Sequence, residues 1–191
     1  AIYYLGNAGA NEYYENLYVQ DFPQGSGTYK FRYNERYDTV SNEFLNSITN
    51  LTAGVWYHVA LVFDGSSRKL YINGSLDNSA TFTNTVNNTS YPLYIGSFRN
   101  ICCYWDGNLD QFRLYNTALN ATQISDLYGE TSGNNNTLNF PAGAGCVAAY
   151  TLNETANDLS GNYNGTPSDI TYVKSGYTGK NTDGTIESQV S

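Results

Sequence analysis

The chain has 191 residues and a formal net charge of −8, from 17 Asp and Glu against 9 Lys and Arg. That length suits one β-sandwich, or one and part of another, with a sizeable core; the acidic balance argues against nucleic acid, whose phosphates need a basic surface, and against anionic lipid. A content of 19 Tyr, 8 Phe, 18 Gly and no Met favours many short strands joined by turns, and no apolar run approaches the roughly 20 residues of a membrane span.

Residues 1–5 (Ala-Ile-Tyr-Tyr-Leu) read as a strand ending at Gly6-Asn7. No secretory leader is visible before it, so a leader is expected to have been removed or the sequence to be a fragment. Residues 15–20 form a second strand with Leu17 and Val19 on one face. Residues 28–33 form a third, alternating Tyr29, Phe31 and Tyr33 against Thr28, Lys30 and Arg32, as a strand with one wet face does. Residues 44–48 are weaker, and 51–54 turn the chain into its strongest stretch. There Trp56-Tyr-His-Val-Ala-Leu-Val-Phe63 and Arg68-Lys-Leu-Tyr-Ile72 flank an Asp64-Gly65 turn, with Asn73-Gly74 closing the unit, the pattern of a β-hairpin and a following tight turn. Trp56, His58, Ala60 and Val62 share one face and Tyr57, Val59, Leu61 and Phe63 the other. Both faces are largely apolar, so 56–63 is expected to be a central strand buried on both sides. A short strand over 79–83 follows, then Pro92-Leu-Tyr-Ile-Gly96 and a longer stretch, 105–116, alternating Leu109, Gln111, Arg113, Tyr115 with Asp110, Phe112, Leu114, Asn116. One helix is expected near 121–128. Asn120 and Gln123 form its capping box, Leu119 and Ile124 its hydrophobic staple, and Gly129 a left-handed stop.

Trp-Tyr-His-Val-Ala, Phe-Asp-Gly and Leu-Tyr-Ile-Asn-Gly, in that order over nineteen residues, resemble the laminin-G-like family of concanavalin A-like jelly rolls. Pro92–Gly96 is similar to that family's Leu-x-Ile-Gly strand, 105–116 to its closing strand, and the short helix to its final element. The resemblance implies an all-β jelly-roll sandwich of two antiparallel sheets with one short helix. Beyond the helix, 129–145 read as a Gly- and Asn-rich linker. Cys146-Val-Ala-Ala-Tyr-Thr-Leu-Asn and the following Asp158-Leu-Ser-Gly161-Asn162 are similar to the opening of a laminin-G-like domain, and 185–187 to its next strand. The start of the fold thus lies at the end of the chain: 1–128 is the main body, 129–145 the linker, and 146–191 a segment completing the same fold. What should lie between Val190 and Ala1 in family order, an aromatic-bearing strand, is not recognisable.

A jelly roll without its first strands exposes an edge that templates another strand. Residues 146–191 fit that edge in their own chain, a circular permutation, or in the next subunit, a segment exchange; seventeen extended linker residues reach roughly 55–60 Å. The third alternative is a window cut from a tandem array.

Catalytic chemistry is expected to be absent. The single histidine, His58, sits inside the hairpin strand, no Gly-x-Ser-x-Gly occurs, and the hairpin strands carry no Glu for a glycosidase pair. The resemblance implies a calcium ion held by Asp110, Asp158 and Asn162, whose hard oxygen donors suit that ion; the alternative is an Asx-turn loop without metal. The resemblance also places the first strand beside the closing strand, so that Cys146 would bond Cys102 or Cys103 in an oxidising setting; the alternative is three thiols. Asn-X-Ser/Thr occurs at Asn50, Asn73, Asn87, Asn88, Asn120, Asn135, Asn153 and Asn164, which reads either as a glycosylated extracellular surface or as chance in an Asn- and Thr-rich chain. The expected function is an extracellular, non-enzymatic structural subunit whose partner is itself, assembling into a fibre or surface appendage by passing its C-terminal segment to a neighbour. The alternative is a carbohydrate-binding adhesion module that partners glycans.

Overall fold

The computed structural model describes residues 1–6, 13–36, 42–82, 91–130 and 137–172, and the backbone of 177–180 and 186–188. The chain divides into two compact units. The first holds residues 1–72 and 76–107, the second 73–75 and 108–191.

The first unit is built from two antiparallel sheets. β1 (Tyr3–Gly6), β2 (Tyr14–Asp21), β3 (Tyr29–Arg36), β4 (Asn42–Asn46) and β8 (Leu93–Ile95) form the larger, in the order β4-β3-β2-β1-β8. β5 (Val59–Phe63), β6 (Ser67–Ile72) and β7 (Ser75–Thr81) form the smaller, in chain order. Leu17, Phe31, Tyr33 and Leu45 are buried on one face of the larger sheet, as two-residue periodicity and the register Leu17↔Tyr33↔Leu45 require. Tyr33 stacks on Phe82 at 5.9 Å and Phe31 meets Tyr57 edge-on at 6.0 Å. Both contacts join the β3 face to the chain of the smaller sheet.

The hairpin corrects one expectation. Trp56, Tyr57 and His58 lie before the strand, and β5 stands at one end of its sheet with Val62 alone buried. The strand covered on both faces is β6, where Leu70, Tyr71 and Ile72 are buried in succession. The reason is positional: a middle strand has a neighbour on each edge as well as a sheet packed against it, and an end strand does not. The turns are as expected. Asp64 Oδ1 accepts from the Ser66 and Ser67 N–H groups at 3.1 and 2.8 Å, and Asn73 and Gly74 both have positive φ, 50° and 79°, the type I′ geometry that tight hairpins select. β7 begins directly after this turn, earlier than expected.

The second unit contains β9 (Phe112–Tyr115), α1 (Ala121–Tyr128), β10 (Cys146–Tyr150), and the pair β11 (Tyr177–Lys180) and β12 (Ile186–Ser188). Asn120 caps α1 through both bonds of the capping box, Asn120 Oδ1 from Gln123 N at 2.9 Å and Gln123 Oε1 from Asn120 N at 3.0 Å, and Leu119 and Ile124 are buried. Gly129 ends the helix in the right-handed region, φ −79°, and not as the left-handed stop expected of a glycine there. Its N–H still reaches Ser125 O at 2.8 Å, so the last turn closes without a change of hand. Gly74 lies so close to Tyr128 that a Cβ would meet the ring at 2.8 Å.

Candidate functional site

Two polar centres are built into the fold, one in each unit. In the first, Glu15 of β2 and Glu35 of β3 are direct cross-strand partners, and Tyr33 lies on the same face two residues before Glu35. Arg68, from β6 in the other sheet, clamps Glu35 in a fork, Nε to Oε2 at 2.8 Å and Nη2 to Oε1 at 2.7 Å. The Arg68 guanidinium lies 3.5 Å from the centre of the Phe63 ring. Arg68 and Glu35 are 3 % and 0 % exposed, so the pair is sealed. The Tyr33 hydroxyl stands 2.9 Å from Glu15 Oε2 and 3.0 Å from Glu35 Oε2. One O–H supplies one proton, so both contacts are hydrogen bonds only when one carboxyl is protonated; with Arg68 on Glu35, that carboxyl is Glu15, which donates to the phenol as the phenol donates to Glu35. Burial, aided by the Glu35 charge, pushes the Glu15 pKa up in that direction, against the Tyr33 hydrogen bond and Arg68. Burial likewise raises Tyr33 and Tyr3 well above the ordinary phenol range.

Sequence reasoning missed this cluster, though its signal was present. The inward parity of Phe31 and Tyr33 continues to Glu35, but the strand was expected to stop at Tyr33. Two carboxylates on neighbouring strands resemble a glycosidase pair in composition only. That chemistry needs both groups on an open cleft with the scissile bond between them, whereas here one is fully engaged by arginine in the core.

The second centre lies on β9 and β10. They pair antiparallel, Cys146↔Tyr115, Ala148↔Leu114, Ala149↔Arg113 and Tyr150↔Phe112, with one register shift between Cys146 and Ala148. The segment similar to the family's opening strand thus pairs with the segment similar to its closing strand. Strand geometry in the closing stretch is confined to Phe112–Tyr115; the preceding Gln111 has φ 52°. After β10 the loop returns so that Asp158 bridges Tyr150. Asp158 is buried, Oδ1 accepting from Ala149 N at 2.8 Å and Oδ2 from the Ser160 hydroxyl, while Asn164 Oδ1 accepts from Asp158 N at 3.0 Å. Burial works to raise the Asp158 pKa, but these donors outweigh it and hold the carboxyl below its ordinary value.

Arg113 of β9 forms a second fork with Glu130, Nη1 to Oε2 and Nη2 to Oε1, both 2.9 Å. Residues expected to be a plain linker are partly anchored beside it. Tyr115 donates to Phe140 O at 2.8 Å, Thr117 to Ala144 O at 2.6 Å, and Asn116 N to Gly145 O at 3.0 Å.

With two antiparallel sheets facing across Phe31, Tyr33 and Phe82, and the hairpin turns in place, the family match is decisive. The family described as the concanavalin A-like lectin/glucanases superfamily, laminin-G type, matches residues 2–125. The chain belongs to this superfamily. Among solved structures, a similar chain is an S-layer domain-containing protein from Clostridium thermocellum, at 26% identity and a TM-score of 0.36, covering 64% of this chain and 59% of that one. This chain thus spans under two thirds of that structure's length. No curated protein matches in sequence.

For a laminin-G-type fold, the calcium expectation rests on Asp110, Asp158 and Asn162. Asp110 is half-buried two residues before β9, and Asn162 is exposed, its N–H on Ser160 Oγ at 3.2 Å. Asp158 Oδ1 accepts from Ala149 N of β10 and Oδ2 from the Ser160 hydroxyl of its own loop, so the carboxylate fastens the loop to the strand. Among the described residues no group of three or more His, Cys, Asp or Glu is placed to hold a metal. Cys102 and Cys103 are exposed, with sulfurs 2.8 Å apart, and Cys146 is half-buried, donating to Ala148 O at 3.4 Å. The pairing of Cys146 with Cys102 or Cys103 would join residues of different units and is an outcome tested below. Of the glycan acceptors, Asn50, Asn120, Asn153 and Asn164 are exposed and Asn73 is half-buried in its turn. Asn87, Asn88 and Asn135 lie outside the described residues. Among the described residues no helix is long and apolar enough to cross a membrane.

Proposed function

We propose that this concanavalin A-like chain is an extracellular, non-enzymatic building module, and that its C-terminal strand joins copies into a fibre or surface appendage. The observation that carries the reading is the register of β10 on β9, which pairs the segment similar to the family's opening strand with the one similar to its closing strand. A ladder specifies a partner strand and not which copy supplies it, so the same bonds are available between subunits. The bonds from Tyr115, Asn116 and Thr117 to residues 140–145 extend the donated segment upstream of Cys146. The sealed Arg68–Glu35 fork supports the non-enzymatic part, and the eight glycan acceptors support the extracellular part.

Truncation after Gly145 strips β9 of its partner, and the expected product is a poorly soluble or unfolded chain that the 146–191 peptide rescues in trans. Electron micrographs of the full chain should contain long polymers. A truncated chain that stays folded and monomeric, or a full chain that is monomeric at high concentration, overturns assembly by this strand.

A glycan-binding adhesion module is the second reading, favoured by the other face of the larger sheet. There the Arg32 guanidinium lies 3.9 Å from the Phe44 ring centre and Nη1 donates to Gln20 at 2.9 Å. A guanidinium suits sugar hydroxyls, and a 42 % exposed Phe44 ring suits a sugar face. Retardation in polysaccharide gels, lost in R32A and F44A, would favour it; identical migration with and without polysaccharide removes it.

A further inference from the structure

Neighbouring residues in an extended chain point to opposite sides, yet the Cys102 and Cys103 sulfurs lie 2.8 Å apart. The loop from Gly96 to Trp105 makes this possible. Its base is closed by Trp105 N on Gly96 O at 2.7 Å, and Phe98 N meets Cys102 O at 3.0 Å. Phe98 is anchored edge-on against Tyr4 at 4.6 Å and Tyr14 at 6.1 Å. Arg99, Asn100 and Cys103 all have positive φ, 60°, 53° and 56°, which bends the tip. At Cys103 this brings consecutive side chains to the same side. The Cys103 carbonyl accepts from Ala1 N at 2.5 Å, fixing the turn from behind. Both thiols are exposed, with Ile101 and Tyr104 beside them 65 % and 61 % exposed, so small reagents reach the sulfurs.

We propose that Cys102 and Cys103 are a redox modification site that closes reversibly into a disulfide between adjacent residues, with a low-molecular-mass disulfide as oxidant. One thiolate attacks a sulfur of that disulfide, forming a mixed disulfide and releasing one small thiol. The neighbouring thiolate then attacks the mixed disulfide at the protein sulfur, closing the ring and releasing the second small thiol. Two protein thiols lose two electrons and two protons, and the small disulfide gains both. The loop holds the second nucleophile at the first sulfur, so closure is intramolecular and outruns capture of a second small molecule. Cα atoms of adjacent residues are about 3.8 Å apart, below the usual ~4.4–6.8 Å of a disulfide. A ring so closed is readily reduced, which suits a reversible site rather than a permanent staple. The Cys102 thiol sits above its ordinary pKa, chiefly through its contact with the Cys103 sulfur, while the positive charges of the Ala1 amine and then Arg99 pull the other way, so closure should speed up with rising pH.

The test uses the full chain in oxidised glutathione, trapped with iodoacetamide without reduction and cut with trypsin. Arg99 and Arg113 bound a peptide, 100–113, that contains Cys102 and Cys103, while Cys146 falls in 114–174. The expected result is peptide 100–113 lighter by two hydrogens and unalkylated, unchanged in C146S, with stable glutathione on the remaining thiol in C102S and in C103S. Circular dichroism of each variant shows that the fold is kept. Peptide 100–113 cross-linked to 114–174 overturns the proposal in favour of the Cys146 bond. Glutathione or alkyl groups on both Cys102 and Cys103 overturn it as well.

Discussion

Arg68–Glu35 and Arg113–Glu130 are both two-pronged, buried forks, but they join different kinds of element. The first spans two sheets and shares its carboxylate with Tyr33, beside a second carboxylate, Glu15. The second ties β9 to the residue just past α1, with the Phe140 ring 5.7 Å from the guanidinium. The first unit therefore rests on broad ladders around a charged centre that has no access to water. The second rests on short two-stranded ladders, β9 with β10 and β11 with β12, reinforced by side-chain bonds from Asp158, Tyr115 and Thr117. A charge inside a sandwich needs its partner; a loop held by many donors loses one at a time.

The contrast sets an order of effects. R68A should cost about 3–5 kcal/mol, because it leaves the Glu35 carboxylate buried without its arginine, a large share of the roughly 5–15 kcal/mol that holds a typical domain. The double variant R68M/E35L should recover most of this loss in urea unfolding; if it is as damaged as R68A, packing and not charge explains the site. R113A strands Glu130 in the same way, the Arg113 and Glu130 side chains being 7 % and 2 % exposed, and should also cost about 3–5 kcal/mol. A loss for R113A under about 1 kcal/mol, the range of exposed pairs, would mean that water reaches Glu130 once the arginine is gone.

D158A should cost about 1–3 kcal/mol by freeing the Ala149 N–H and the Ser160 hydroxyl. The two centres should also respond to pH with opposite signs. Asp158 is depressed in the folded chain, so its contribution is present above the ordinary Asp value near ~3.9 and is lost as pH falls through its folded value. Glu15 is raised by burial, so its contribution is complete below the ordinary Glu value near ~4.3 and is lost as pH rises through its folded value. E15Q should therefore stabilise the chain at neutral pH and flatten stability above about pH 5. A destabilised E15Q at pH 7 would mean the ionised form is the one the core accepts. The smallest expected effect is that of calcium. Adding or chelating the ion should shift the melting temperature by under about 1–2 °C, whereas binding at 100 times Kd would add ~2.7 kcal/mol and several degrees.

Local chemistry made much of this fold legible. The Asp64-Gly65 and Asn73-Gly74 turns and the Asn120–Gln123 box depend on residues close in sequence, and each appears as expected. The pairing of 146–150 with the closing strand was legible only through family resemblance, since nothing local in Cys-Val-Ala-Ala-Tyr selects Phe112–Tyr115. Burial was misjudged where it depends on strand order: β5 has the apolar pattern of a middle strand, but β6 occupies the middle. The Glu15–Tyr33–Glu35–Arg68 centre was legible only in the parity that turns Glu35 inward, for a related reason. Its members come from three strands, and a charged residue in an alternating strand reads as outward until its partner's position is known. At Asp158, composition shows an oxygen-rich loop, and only the structure shows which donors its two oxygens meet.

The Arg68–Glu35 fork also bears on how the first unit comes apart. Peeling β6 away from β3 would leave a guanidinium on one sheet and a carboxylate in the dry face of the other, so a half-open sandwich is worse off than either end state. Such a unit has no comfortable intermediate and should melt in one step. Protease digestion near the midpoint of unfolding should then yield intact chain and small peptides, with no lasting fragment corresponding to β1–β4 or to the β5–β7 hairpins.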